Sequence, residues 1–172
     1  MRKISRLLGL LVLLGISAMA QEQAPTAELF GGYSFMHSSL PGQGLNANGG
    51  SASFAINPER WLGFVADFGG YHGSTSGVGV TNFTYLFGPR FSYRSKSPLT
   101  PFAHVLLGGI HQSVDGLPSS QNGFSMAVGG GLDLRADSHW SWRMIQAEYL
   151  YSNLQNQQNN ARISTGVVYS WD

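Results

Sequence analysis

The 172-residue chain contains no cysteine, which excludes disulfides, thiolate metal sites and lipid attachment to an N-terminal cysteine. Charged residues make up only 11% of the chain, against about 25% in ordinary soluble domains. After residue 20 no apolar run approaches the ~18 residues of a membrane-spanning helix. Glycine is abundant, with 23 residues, and aromatic residues make up 12%. Low charge, abundant glycine and the lack of a helix to insert are typical of a membrane β-barrel.

The first twenty residues predict a secretory signal peptide. Three basic residues (Arg2, Lys3 and Arg6) precede the apolar run Leu7–Ile16, which is too short to span a membrane. Ala18-Met19-Ala20 has the small-residue pattern of a cleavage site. The alternative is a short N-terminal anchor helix. We divide the chain into a signal peptide, residues 1–20, and one barrel domain, residues 21–172.

Removing the signal peptide changes the charge balance. Seven basic and nine acidic residues remain, a net charge of −2. The basicity of the full chain therefore belongs to the signal peptide, and no nucleic-acid surface is indicated.

Eight segments alternate between apolar and polar residues, as expected for β-strands with one lipid-facing side. They predict strands at about 27–37, 45–56, 61–72, 80–95, 101–112, 123–136, 140–152 and 161–171. Segments of about 11–16 residues are long enough to cross a bilayer when tilted. The connections after the second, fourth and sixth segments are short, and the others are longer and rich in Ser, Gly, Asn and Gln. This alternation predicts periplasmic termini and four polar extracellular loops.

Aromatic residues predict a girdle at each membrane interface. All four tryptophans fall at predicted periplasmic strand ends: Trp61, Trp140, Trp142 and Trp171. Other aromatic residues fall near the predicted outer ends: Tyr33, Phe35, Phe83, Tyr85, Tyr149 and Tyr151. Amphipathic rings prefer interfaces, so this clustering favours a membrane barrel.

The charged side of each predicted strand is assigned to the lumen. A charge on the lipid face would cost about 2–4 kcal/mol at the midplane. The predicted lumen residues are Glu28, Asp67, Arg90, Arg94, His104, Asp133, Arg135, Gln146, Glu148 and Arg162. Four acids balance four arginines, so we expect static ion pairs that fill the narrow barrel. The alternative to static pairs is that a lumen pair, such as Glu28 with Arg90, opens and closes as a gate.

Arg143 breaks this pattern. Alternation places it outward near the periplasmic end, where its stem would reach the lipid headgroups.

A soluble lipocalin-like barrel is the alternative architecture. It would reverse the two faces and place Phe83, Tyr85, Phe87, Phe91 and Tyr93 in an apolar cavity. It does not explain why the tryptophans cluster at one end.

Several segments resemble the OmpA-like outer-membrane β-barrel family. They are ELFGGYSFMH (Glu28–His37), LFGPRFSYR (Leu86–Arg94), PFAHVLLGG (Pro101–Gly109), GGGLDLR (Gly129–Arg135) and IQAEYL (Ile145–Leu150). The resemblance covers nearly the whole mature chain. It implies the barrel domain alone, in the outer membrane of a Gram-negative cell, surrounded by lipid and lipopolysaccharide.

The C-terminus resembles the signal that the barrel-assembly machinery reads in this family. The matching residues are Ser164, Gly166, Tyr169 and Trp171. Asp172 follows the terminal aromatic residue and departs from the pattern. The resemblance therefore implies the secretion and barrel-assembly machineries as partners.

Catalytic patterns are weak. His72-Gly73-Ser74 and His111-Gln112-Ser113 resemble the His-x-Ser spacing of lipid A deacylases, and such spacing places both side chains on one strand face. A nucleophile also needs its base oriented by a third group, and the only acid nearby is Asp115. Scattered histidines such as His37 do not predict a metal site. The glycines at 129–131 lie mid-strand and are not a phosphate loop.

The sequence therefore predicts an all-β, eight-stranded antiparallel up-and-down transmembrane barrel after a cleaved signal peptide. We expect a monomer without enzymatic activity, cofactor or nucleic-acid partner. Its expected role is structural, in envelope integrity, or interactive, through its loops, although no extracellular ligand can be named. A narrow porin-like channel is the first alternative, and a lipid A-modifying hydrolase is the second.

Overall fold

The computed structural model describes residues 24–40, 43–75, 77–116, 120–154 and 157–171. These contain eight strands: β1 (Ala27–Leu40), β2 (Gln43–Ile56), β3 (Leu62–Thr75), β4 (Val78–Ser92), β5 (Leu99–Val114), β6 (Gln121–Arg135), β7 (Trp140–Asn153) and β8 (Gln157–Trp171). Each strand pairs antiparallel with its sequence neighbours, and β8 closes the barrel against β1. The predicted eight-stranded barrel is confirmed. Within the described ranges no helix is long and apolar enough to span a membrane, and the predicted signal peptide lies outside them.

The strands extend further than the sequence predicts at the end opposite the termini. Ser38 and Ser39 pair with Leu45 and Gly44, and the polar segment at the start of β8 pairs with the end of β7. The prediction of four long loops is therefore wrong. Polar residues continue the ladder because both faces of a hairpin beyond the membrane are wet, so neither face needs apolar side chains.

The alternation of side chains places the aromatic residues outside the barrel. Phe83, Tyr85, Phe87, Phe91 and Tyr93 are between 38% and 56% exposed, and the polar residues between them point inward. The lipocalin-like alternative, which needs these rings in a cavity, is wrong.

Part of the lumen is apolar. Six small or aliphatic side chains, each at most 6% exposed, form a cluster inside the barrel: Ala55, Val65, Leu86, Leu106, Ala127 and Leu150. Leu86 is the apolar exception among the polar, inward-facing residues of β4. It therefore packs inside the barrel with the other apolar residues of this cluster. The interior of this barrel is filled by packed side chains, as expected for eight strands.

A β-bulge in β7 changes the direction of its side chains. Arg143 lies opposite Gly166, but Gln146 lies opposite Ser164, so β7 has one residue more than β8 over this interval. Met144 is the extra residue, because β6 also passes directly from Ile145 to Arg143. Both Met144 and Ile145 are exposed, and Arg143 turns inward with 2% exposure. The prediction that Arg143 lies outward is wrong, since one extra residue inverts the alternation.

Candidate functional site

A buried polar cluster in the lumen centres on Arg162, which is fully buried. Its guanidinium binds Glu148 through two bonds, with Nε to Oε2 at 2.5 Å and Nη2 to Oε1 at 2.7 Å. Its Nη1 donates to Asp67 Oδ1 at 2.8 Å and to the Tyr71 hydroxyl at 2.9 Å. A buried guanidinium needs this degree of compensation, because an unpaired buried charge is costly.

Two further side chains join this central cluster. His104 Nε2 lies 2.8 Å from Glu148 Oε1, and Gln146 Nε2 donates to Glu148 Oε2 at 2.9 Å. The Gln146 carbonyl oxygen accepts a bond of 2.8 Å from Arg143 Nη1. Gln146 therefore connects the central cluster to a second group of charges.

Arg143 is held by a carboxylate and two aromatic rings. Its Nε and Nη2 donate to the two Asp133 oxygens at 2.8 and 3.0 Å. Its guanidinium carbon lies 4.4 Å from the ring centre of Phe30 and 4.5 Å from that of Phe102. The bulge thus places a cation between two ring faces, where the attraction strengthens as water is removed.

A third group lies at the end of the barrel that carries the termini. Glu28 binds both Arg90 and Arg94, the latter at 2.9 Å. Arg90 Nη2 also donates to Asn57 Oδ1 at 3.2 Å. Arg94 Nη1 donates to the backbone oxygen of Arg60, and Arg60 Nη2 to that of Arg94, each at 2.6 Å. These bonds join the connection before β3 to the connection after β4.

The structure buries nine of the ten predicted lumen residues: Glu28, Asp67, Arg90, Arg94, His104, Asp133, Gln146, Glu148 and Arg162. Arg135 is exposed and lines the barrel mouth instead. Sequence reasoning missed Arg143 and Tyr71. The sequence does contain a signal for Arg143. The aromatic residues of β7 stand at even positions up to Trp142 and at odd positions from Tyr149, which indicates an extra residue between them.

The predicted girdle residues lie on the outer face. Trp61, Trp140, Trp142 and Trp171 are 37–51% exposed at one end, Tyr33, Tyr85 and Tyr149 are 38–53% exposed towards the other, and Tyr151 is half-buried. The rings of Trp140 and Trp171 each lie 4.8 Å from that of Tyr169.

The four residues of the predicted assembly signal lie on β8. Ser164 is buried, and its hydroxyl is 2.6 Å from that of Ser34 across the closing seam. Gly166 lies opposite Gly32, where a Cβ would collide with the β1 backbone. Tyr169 and Trp171 point towards the lipid side. Their role in assembly stays a prediction, and Asp172 lies outside the described residues.

Beyond the outer aromatic residues, outward polar side chains continue on all eight strands. We call them the outer collar: His37, Ser39, Asn46, Asn48, His72, Ser74, Thr81, His111, Ser113, Asn122, Asn153, Gln157 and Asn159. Three hairpins carry a histidine whose Nδ1 is hydrogen-bonded to the residue directly opposite. The pairs are His37 with Asn46 at 2.6 Å, His72 with Thr81 at 3.0 Å, and His111 with Asn122 at 2.7 Å.

One collar group has the order of a catalytic triad. Ser113 Oγ lies 3.4 Å from His111 Nε2, and His111 Nδ1 lies 2.7 Å from Asn122 Oδ1. The third group is thus an amide rather than the carboxylate of the deacylase pattern, and it comes from the neighbouring strand. Within the described residues no cluster of three metal-ligating side chains occurs.

At the opposite end, a cavity of about 220 Å³ opens into the barrel mouth. Its wall includes Arg60, Arg90, Arg94, Arg135 and several hydroxyl groups. Asp137, at the rim, accepts backbone N–H bonds from His139 and Trp140 at 2.8 and 2.9 Å. These bonds hold the pKa of the exposed Asp137 carboxyl below its ordinary value.

Comparisons with known proteins agree with this architecture. The family model described as "Outer membrane protein beta-barrel domain" matches residues 7–170. The neisserial surface protein A structure has a TM-score of 0.70 and 15% identity, with 87% of this chain and 100% of that chain covered. Ail, the attachment invasion locus protein of Yersinia pestis, has a TM-score of 0.60 and 18% identity, with 86% and 99% covered. The N-terminal barrel of Pseudomonas aeruginosa OprF has a TM-score of 0.51 and 14% identity, with 87% and 100% covered. No curated protein sequence matches the chain.

Proposed function

Because the chain belongs to the outer membrane protein beta-barrel domain family and lies in the outer membrane, we propose that it is a closed barrel that displays its outer collar as an interaction surface. The observation that carries the proposal is the collar itself. At the collar end, outward polar residues continue beyond the outer girdle residues on every strand. At the other end, the tryptophan girdle lies at the ends of the strands, so the strands do not extend beyond it. Barrels of this kind extend further on the extracellular side.

The composition of the collar indicates which partners it suits. The segments 37–46, 71–80, 111–124 and 151–160 contain one formal charge, Asp115. Amide, hydroxyl and imidazole groups hydrogen-bond without a strong electrostatic field. We therefore propose an uncharged partner rich in hydroxyl or amide groups, such as a neutral glycan. Ail has been crystallised with the heparin analogue sucrose octasulfate, but the collar here lacks the cationic side chains that bind a polyanion.

A glycan-binding assay on the barrel in nanodiscs tests this proposal. A variant with Asn46, Asn48 and Asn159 changed to alanine removes three collar amides, and a matched variant with Ser95, Ser97 and Thr100 changed to alanine alters the opposite end. We expect salt-insensitive binding to neutral glycans that the first variant loses and the second keeps. Binding to heparin alone, abolished by salt, would contradict the proposal.

A structural role in the envelope is the other part of the proposed function, supported by the densely bonded lumen. Detergent sensitivity of cells lacking the protein measures this role. If the role is structural, the collar variant restores resistance as fully as the wild-type chain, because it changes no lumen residue and keeps every aromatic ring of the lipid face. If resistance depends on a surface partner, the collar variant fails to restore it.

The Ser113–His111–Asn122 arrangement supports a second candidate, hydrolysis of an ester in outer-leaflet lipid. A hydroxyl near an imidazole that is oriented by a third group is the minimal arrangement for nucleophilic catalysis. Two observations weaken this candidate: the Ser113–His111 separation of 3.4 Å is long for a hydrogen bond, and the same His-x-Ser spacing recurs at His37 and His72. Mass spectrometry of lipid A from cells with wild-type protein or Ser113→Ala tests whether the chain hydrolyses lipid A. Identical acyl patterns would end the hydrolase hypothesis.

A further inference from the structure

Among the described residues that line the mouth cavity, arginines outnumber carboxylates. Four arginines line it, together with three carboxylates (Glu28, Asp133 and Asp137). Each carboxylate is already engaged: Glu28 by Arg90 and Arg94, Asp133 by Arg143 from deeper in the lumen, and Asp137 by two backbone N–H groups. Arg90 and Arg94 therefore share a single carboxylate.

Two guanidinium groups of the cavity retain unused donors. Arg90 is 3% exposed, and its Nε has no hydrogen-bond partner among the described residues. Arg135 is exposed at the rim, and its side chain makes no hydrogen bond or ion pair with any described residue. Burying an N–H donor without a partner is destabilising, and more so when the group is charged, so an anion beside it would be stabilising.

Arg94 stays charged in these surroundings. Burial, opposed by Asp133 and assisted by Arg135, lowers the pKa of Arg94 to about 10. The guanidinium is therefore charged at neutral pH and can attract an anion.

The shape and remaining wall of the cavity suit a small oxyanion. Its volume of about 220 Å³ leaves room for several water molecules, and therefore for a small oxyanion. Hydroxyl groups of Ser92, Thr100, Ser141 and Ser170 line it alongside the arginines. Guanidinium and hydroxyl donors together are the groups that bind phosphate and carboxylate oxygens.

We propose that this cavity is a binding site for a small phosphate- or carboxylate-bearing anion that enters from the periplasmic side. The anion would bind between Arg135 at the rim and the Nε of Arg90 at the base. The site lies at the end opposite the collar, so it does not depend on the interaction surface proposed above. The wall of the barrel separates it from the hydrophobic lipid chains.

NMR of the ¹⁵N-labelled barrel in a phosphate-free, uncharged detergent tests the proposal through the Arg90 Nε–H signal. Inorganic phosphate and acetate are titrated separately against sodium chloride at matched ionic strength. We expect a saturable shift of this signal with phosphate, acetate or both, and none with chloride. A shift that rises linearly, or one that chloride reproduces, would overturn the site.

Two variants distinguish a built site from general attraction of anions. Arg135→Gln removes a side chain without described contacts, so the fold is retained, and we expect about tenfold weaker binding from the lost charge-assisted bonds. Lys96→Gln removes an exposed cation from the same end that does not line the cavity, and we expect less than a twofold change. Equal losses in both variants would overturn the proposal. So would a shift produced by phosphatidylglycerol in the micelles but not by free phosphate or acetate, because the anion would then be a lipid headgroup.

Discussion

At the scale of single residues, Arg162 is the side chain on which the central cluster depends. Changing Arg162 to Gln leaves Glu148 and Asp67 buried without their cation, and breaking such a pair costs about 3–5 kcal/mol. We expect a loss of this size in the free energy of unfolding, measured by urea titration of the barrel in phospholipid vesicles. Arg135→Gln, which removes an exposed arginine, is the matched control and should change stability by no more than about 0.5 kcal/mol. Equal stability of the two variants would show that the central cluster does not stabilise the barrel.

The individual residues also show how far parity can be read from a sequence. Asp67 and Arg162 lie on the expected face because β3 and β8 alternate without interruption. Glu148 also lies on the expected face, because it follows the bulge in β7. Arg143 does not, since no single residue type announces a bulge. Its inward position keeps the buried charges balanced. Arg143 takes the place of the exposed Arg135, so the buried lumen holds four arginines (Arg90, Arg94, Arg143 and Arg162) against four acids (Glu28, Asp67, Asp133 and Glu148).

At the scale of the strand, the bulge in β7 makes deletion tolerance strongly dependent on position. Deleting Met144 removes the unpaired residue, so Arg143 still points inward and Trp142 outward, and we expect a folded barrel. Deleting Ala147 from the regular part of the same strand reverses the faces of all residues on one side of it, and we expect no folded barrel. Heat-modifiable migration on a semi-native gel distinguishes the two. Failure of both deletions would mean that the bulge is required for more than the accommodation of one residue.

The hairpins at the outer end show that the ends of strands cannot be predicted from local composition. Runs of Ser, Asn, Gln and Gly have low strand propensity, so composition predicts a loop at residues 153–160, NLQNQQNN. In the structure Gln157–Asn160 continue β8, opposite Asn153–Leu150. The hairpin extends a ladder already aligned by the membrane-embedded part of the strands, so each added pair needs only backbone hydrogen bonds. Local composition cannot predict this, because the cause lies in the neighbouring strand.

At the scale of the whole molecule, the filled lumen favours a closed barrel over the porin-like alternative. Fully buried side chains from several strands meet inside: Arg162, Tyr71, Leu86, Leu106 and Leu150. The polar clusters alone could rearrange around ions, but the aliphatic side chains beside them offer a passing ion no replacement for its water. Both kinds of contact would have to break for a continuous aqueous path to open.

We therefore expect no discrete conductance steps from the purified protein in planar bilayers, with a known porin as the positive control for insertion. A double variant, Arg90→Gln with Arg94→Gln, should be equally silent. These arginines belong to the mouth cluster with Glu28, and the double variant removes no side chain of the aliphatic cluster. Steps in the wild type that disappear in the double variant would instead identify the mouth arginines as part of an ion path. That result would show that the ionic network acts as a gate rather than as a static filling of the lumen.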